Sequence, residues 1–276
     1  MTLYRKLIVL LFLIFTSGQC LAASNNESIG TECNEVWYRL SAELADGTSL
    51  GYENLKDKWE GLGKPCVGTG LYKIRMGTIL FFQRDMSGAK DILATTSNQP
   101  TNYRYLGDIL DHMISFNTDD WWASENEFRD VMLRKAKSLI ENYPSNYEVH
   151  VYAGEMIVTL ESYEDGISVL EEAVKLWPQD ADIIGVYRNL AVAYSKLDRY
   201  QTSYNYGNKA YKLDQAISDD YYFMLAMSRA SAGIGDFSTA QNALRIISAK
   251  YPEAIDDQDF KGEVDFIFEK MNGTEN

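Results

Sequence analysis

Apolar and small residues recur at helical spacing through the second half of the chain. In 147–178, Ala153-Gly154 is followed by Ile157, then Tyr163, then Gly166 and Leu170 four residues apart, then Ala173, with Pro178 closing the segment. The same order returns as Tyr187, Leu190-Ala191, Tyr194, then Tyr200, Ser203 and Ala210. A third round has Met227-Ser228, the turn Gly235-Asp236-Phe237, Ala240 and Leu244, and closes at Pro252. Tyr163, Tyr200 and Phe237 stand at a constant interval, so the chain repeats a unit of two helices joined by a tight turn. Small residues such as Gly154, Ala173, Ala191, Ala210 and Ala240 would let the two helices of a pair approach closely, while large residues at helical spacing fill the gap to the next pair. A single pair cannot bury its apolar face alone, so successive pairs must stack.

Upstream the pattern is weaker. Met76-Gly77, Leu80, Met86, Ala89 and Leu93 fit the same spacing, and Tyr103 with Leu106-Gly107 and Leu110 opens another unit. That unit holds an insertion from Phe116 to Ala123, followed by a helix opened by the capping box Ser124-x-x-Glu127 and ended by Pro144. Residues 32–59 suggest one more helix pair that matches the pattern poorly. At the other end Phe260, Val264, Ile267, Phe268 and Met271 fall on one helical stripe, as expected of a capping helix.

The motif Trp-x-x-Leu-Gly-x-x-Tyr, then Ala-x-x-x-Phe, then Pro belongs to the tetratricopeptide repeat, and residues 147–252 resemble that family. The resemblance implies an all-α, right-handed superhelical solenoid of antiparallel helix pairs with a C-terminal capping helix. Divided on this basis, the chain has a leader at 1–23, an N-terminal helical pair at 24–67, repeats at 68–252 and a cap with its tail at 253–276. The family's geometry lines a concave groove with the first helix of each pair. It places Arg188, Asn189, Val192 and Lys196 on the groove side of one first helix, Tyr152 and Glu155 on the helix before, and Arg229 on the helix after. Some family members clamp a carboxyl terminus with Lys and Asn from successive helices, but here the first Lys/Asn pair is missing.

The leader rests on its own pattern. Arg5 and Lys6 precede an apolar run from Leu7 to Phe15, and small residues lead to Ala22-Ala23, as in a cleaved secretory signal. A membrane span is the weaker reading, because nine residues rise only about 14 Å as a helix against a hydrocarbon core of about 30 Å. Lipid attachment at Cys20 would need a small residue where Gln19 stands. Cleavage leaves Cys33 and Cys66, which in an oxidising compartment are expected to form a structural disulfide rather than a redox pair, since no Cys-x-x-Cys spacing is present. This expectation makes the protein secreted across the inner membrane and periplasmic, without an integral span in the mature chain.

Composition narrows the function. The 40 acidic against 26 basic side chains give a net charge of -14 over 276 residues, which repels a phosphate backbone and argues against a nucleic-acid partner. Only two histidines are present, His112 and His150, with no ligand spacing between them, so neither a metal nor another cofactor is expected. His150 takes the position the repeat gives to Trp and is expected to be a partly buried structural imidazole. Acid pairs such as Glu171-Glu172 diverge by about 100° on a helix and serve as solvated faces, and no Gly-x-Ser-x-Gly or phosphate loop occurs. Catalysis is therefore not expected.

What remains is a binding protein: a scaffold or adaptor that holds a protein or peptide partner, in cell-envelope assembly or secretion. A glycan-binding solenoid is the alternative, and an all-α hydrolase a more remote one. Arg188, Lys196 and Arg229 form a local cationic exception on an acidic chain, either a partner site or, in the plainer reading, struts that pair with Glu155 or other acids across the groove. The adjacent Trp121 and Trp122 of the insertion cannot share one helical face, so one of them is a candidate contact.

Overall fold

A computed structural model describes residues 35–37, 39–40, 52–62, 67–96, 103–117, 124–179 and 182–273. The leader, Cys33, Cys66, Trp121 and Trp122 lie outside the described residues. Every regular element among the described residues is helical, and no helix among them is long and apolar enough to cross a membrane. In chain order the α-helices are α1 Tyr52–Leu62, α2 Gly70–Phe82, α3 Met86–Ala94, α4 Arg104–Asn117, α5 Glu125–Asn142, α6 Tyr147–Thr159, α7 Tyr163–Leu176, α8 Ile184–Lys196, α9 Tyr200–Leu213, α10 Tyr221–Gly233, α11 Phe237–Lys250 and α12 Gln258–Gly273. Short 3-10 turns at Gln215–Asp219 and Pro252–Asp256 link pairs. The described chain forms two compact units, one up to Ala153 together with Pro178–Asp182, the other Gly154–Trp177 together with Ile183 onward.

Tyr163, Tyr200 and Phe237 each begin a second helix, and the turn before each has one geometry. Glu161, Asp198 and Gly235, and Arg84 ahead of α3, all have positive φ, between 57° and 87°. Behind each, an amide bonds the carbonyl five residues back, as Ser162 to Ile157, Arg199 to Tyr194, Asp236 to Ser231 and Asp85 to Leu80, at 2.8 to 3.1 Å. This closure satisfies carbonyls at the end of the first helix and reverses the chain within a few residues. Asp85 and Asp236 then cap the following helix through Gly88 and Thr239 amides.

In the second unit the small residues sit where the pairs touch. Ala173, Ala191, Ala210 and Ala240 have no exposed surface, and a Cβ on Gly154 would stand 2.7 Å from Leu170. Buried hydroxyls bind the members of a pair, Ser203 donating to the Ala191 carbonyl at 2.7 Å and Ser228 to that of Ala240 at 3.1 Å. Phe223, Met224, Leu225, Ala243 and Ile247 fill the space toward the cap, where Phe260 closes the core.

In the first unit, Trp59 of α1 lies edge-on to Trp37 at 5.6 Å and is stacked on Tyr72 of α2 at 5.5 Å. The Arg75 guanidinium covers Trp37 at 4.7 Å. Ser124 caps α5 by accepting from the Glu127 amide, and the helix ends at Asn142, as the capping box and Pro144 require.

The stripe expected on α12 needs one correction. Phe260 and Ile267 are buried, but Phe268 is 59 % exposed. One residue beyond Ile267 turns the side chain about 100° off the buried face, and the place on that face goes to Glu263, which is 5 % exposed.

Candidate functional site

The expected groove residues of the second unit form a ladder of polar ties along its first helices. Glu155 on α6 is 5 % exposed and its Oε1 accepts from Asn189 Nδ2 on α8 at 3.2 Å. Asn189 Oδ1 in turn accepts from Arg188 Nη1 at 2.6 Å. Arg188 turns its other nitrogens to Asp220, with Nε at 3.1 Å and Nη2 at 2.8 Å from Oδ2. Asp220 is the N-cap of α10 and also accepts from the Phe223 amide at 2.8 Å, so one carboxylate holds both the next helix and the preceding guanidinium.

Further along, Arg229 on α10 reaches Asp198 in the turn before α9 at 3.0 Å and Glu263 on α12 at 3.4 Å, while its guanidinium lies 4.1 Å over Phe266. Sequence reasoning offered Glu155 or another acid as the arginines' alternative partners. The structure supplies Asp220, Asp198 and Glu263, and Glu155 meets Asn189 instead. Val192 is half-buried on α8, and Lys196 is exposed at the end of the same helix.

In the first unit, Tyr152 is fully buried with its ring edge-on to His112 at 5.4 Å. His150 is also buried, with Nδ1 2.9 Å from the Asn146 carbonyl. Both histidines are therefore core residues. Burial pushes the His112 pKa down to about 3, helped by the nearby Lys135 charge, so it is neutral at ordinary pH. No group of three or more potential metal ligands occurs among the described residues.

Burial dominates the electrostatics of the ladder. The Glu155 carboxyl is pushed up to about 8, because desolvation outweighs the attraction of Arg188 and the bond from Asn189. Glu263 is also raised by burial, against the pull of Arg229 and Lys196. Asp198 moves the other way, lowered first by the Tyr200 hydroxyl and then by Arg229. Glu155 Oε2 has no hydrogen-bond partner among the described residues, which suits a protonated acid better than a carboxylate.

The raised folded-state pKa fixes the sign of a prediction. Glu155 binds its proton more tightly folded than unfolded, so its contribution is fully present below about pH 4.5 and is lost as pH rises toward 8. The loss between about pH 5 and 8 is on the order of 3 kcal/mol. Glu155→Gln keeps the acceptor for Asn189 and removes the titration, so it should be the more stable protein at the alkaline end, with the gap closing at the acidic end. Urea unfolding at both ends checks this, and identical pH dependence in the two proteins would disprove it.

Among the described residues, many side-chain ties between repeats connect positions about one repeat apart, though Tyr194 donates to Glu171 only 23 positions back, at 2.6 Å. Besides the ladder, Tyr221 donates to Asp257 at 3.0 Å, and Tyr251 bonds the Asp219 carbonyl while Lys250 pairs with the Asp219 carboxylate. In the first unit, Tyr143 donates to Asp108 at 2.5 Å and Tyr147 to the Asp182 carbonyl at 2.6 Å. The tyrosines thus place their rings between helices and use their hydroxyls as straps, a role that repeat spacing alone does not reveal.

No protein-family model matches the chain, and no curated protein matches it either. Its likeness is to solved structures. A crystal structure of the APC/C hetero-tetramer Cut9-Hcn1 is similar with a TM-score of 0.60 at 13% identity, over 89% of this chain and 43% of that one, so the chain spans less than half of its length. A mutant of MamA is similar with a TM-score of 0.47 at 14% identity, over 66% of this chain and 96% of that one. The likeness is one of fold: the chain is a tetratricopeptide-like helical repeat, an all-α solenoid of packed pairs.

Proposed function

From a helical-repeat stack whose helices are tied by two runs of polar contacts, we propose that this chain is a non-enzymatic scaffold that holds a protein or peptide partner. The observation that carries the proposal is the ladder from Glu155 through Asn189, Arg188 and Asp220, continued by Asp198, Arg229 and Glu263. It ties successive helices together with both arginines paired to acids, and so presents a rigid face on which Val192 and Lys196 of α8 remain available. A preorganised face binds with little ordering entropy, which is what repeat scaffolds use to hold extended partners. The fold neighbour Cut9-Hcn1 is itself part of a multi-subunit assembly, which supports a protein rather than a small substrate as the ligand. The leader pattern supports action in the periplasm or outside the cell, in envelope assembly or secretion. Trp121 and Trp122 are proposed as a second contact with that partner.

The glycan alternative needs open aromatic planes. In the second unit Tyr206 is stacked on Tyr194 at 5.7 Å, tilted against Tyr187, and covered by Lys209 at 4.6 Å. These rings are therefore engaged with one another.

Crosslinking in envelope extract followed by affinity capture tests the proposal. Lys196→Gln, which removes the charge without setting an acid beside Glu263, should weaken capture of a partner that the wild type retains by about tenfold, with a nearly unchanged melting temperature. Equal capture by both proteins, or retention of polysaccharide alone, would overturn it.

A further inference from the structure

The first unit contains a cleft of about 310 Å³ between α2, α3 and α4, lined among others by Ile74, Leu93, Gly107, Lys90 and Arg104. Its floor is apolar: Ile74 and Gly107 are buried and Leu93 is half-buried. Four charges border it, and they are not equivalent. Asp108 already accepts from the Tyr143 hydroxyl at 2.5 Å, and Asp111 is paired with Lys135 at 3.5 Å. Lys90 and Arg104 are exposed and make no ion pair among the described residues. The end of α3 and the start of α4 both border the cleft, so their dipoles oppose each other. The Ile92 and Leu93 carbonyls at the end of α3 are moreover occupied by the hydroxyls of Thr95 and Thr96, at 2.7 Å each. Side chains decide the sign, and the two without an ion pair among the described residues are cationic, Arg104 acting electrostatically on Tyr143.

We propose that this cleft binds a small aliphatic carboxylate, its chain on Ile74, Leu93 and Gly107 and its anionic end between Lys90 and Arg104. A guanidinium and an ammonium beside an apolar floor match a group that is charged at one end and hydrocarbon at the other. The site is separate from the ladder of the second unit and does not depend on what that ladder holds.

Octanoate is the probe, titrated calorimetrically into the chain as it stands. For a ligand of its size a dissociation constant of about 1 mM is expected. Lys90→Glu with Arg104→Glu should weaken binding by about tenfold or more at an unchanged melting temperature, while Lys90→Arg with Arg104→Lys retains it. Gly107→Ala provides an independent handle. Its new Cβ would meet Leu93 at 3.5 Å and Ile74 at 3.7 Å, ordinary contacts, so the fold is kept while the floor becomes shallower and octanoate binds more weakly. Octylamine, with the same chain and the opposite charge, should bind at least tenfold more weakly than octanoate. Octylamine binding as tightly as octanoate, octanoate that never saturates, or binding indifferent to both the charge reversal and Gly107→Ala would overturn the proposal.

Discussion

Gly233→Ala is expected to lower the unfolding free energy by about 2 to 3 kcal/mol, a large effect for one methyl group. Gly233 is the last residue of α10, and a Cβ there would sit inside the ring of Tyr200, closer than non-bonded carbons approach. The ring cannot simply swing away. Tyr200 is packed against Phe266 at 5.7 Å, its hydroxyl donates to Asp198 at 2.7 Å, and Asp198 also holds Arg229. Moving it disturbs the turn, the cap helix and the ladder together. Gly185 in α8 provides the control, because nothing among the described residues lies within 4 Å of a Cβ placed there. Gly185→Ala should be neutral or stabilising by about 0.5 to 1 kcal/mol through helix propensity. Thermal unfolding of both variants measures the contrast, and equal melting temperatures would show that Gly233 is not a close-packing position.

The second large effect is at Arg188. Arg188→Ala should destabilise the protein by about 3 kcal/mol, since it leaves Asn189 Oδ1 buried without its donor and Asp220 without its cation. The side chain of Arg188 is 7% exposed against 22% for Arg229, so Arg229→Ala should cost less. Arg188→Lys should recover only part of the loss, because an ammonium cannot span Asp220 and Asn189 in the way a guanidinium fork does. Chemical unfolding ranks the three. If Arg188→Ala unfolds like the wild type, the ladder is not holding α8 to α10. A partner lost on this substitution would therefore have to be judged against the fall in stability, which is why the binding test uses Lys196.

The pair boundaries were legible because the residues that start each second helix, Tyr163, Tyr200 and Phe237, keep one interval, and because proline and capping boxes mark ends locally. The close-contact alanines and Gly154 were legible for a similar reason, since small residues stand out at helical spacing. Gly233 was not: its partner ring belongs to Tyr200, on another helix, and no local pattern announces it. Glu263 was missed because an acid at a core position contradicts periodicity unless its cation is known, and Arg229 lies a full repeat away. Arg188 and Arg229 stood out in the sequence as cations on an acidic chain, and in the structure both are paired with acids. Their partners could not be chosen from sequence, because several acids lie at about one repeat's distance and only the packing selects among them. Positive φ at Glu161 and Asp198 was equally hidden, since the third such turn in this unit uses Gly235, the residue that would normally advertise it.

The straps and ladder rungs that cross from one repeat to the next in the second unit join residues 31 to 36 positions apart, so each repeat is held by its immediate neighbour. A chain wired this way has few distant loops to close before its first native contacts form, which favours fast folding for its length. It also means that strength is local. Under tension applied from the α12 end, this unit should yield in discrete steps of one helix pair, each step releasing one set of straps while the pairs behind it stay closed.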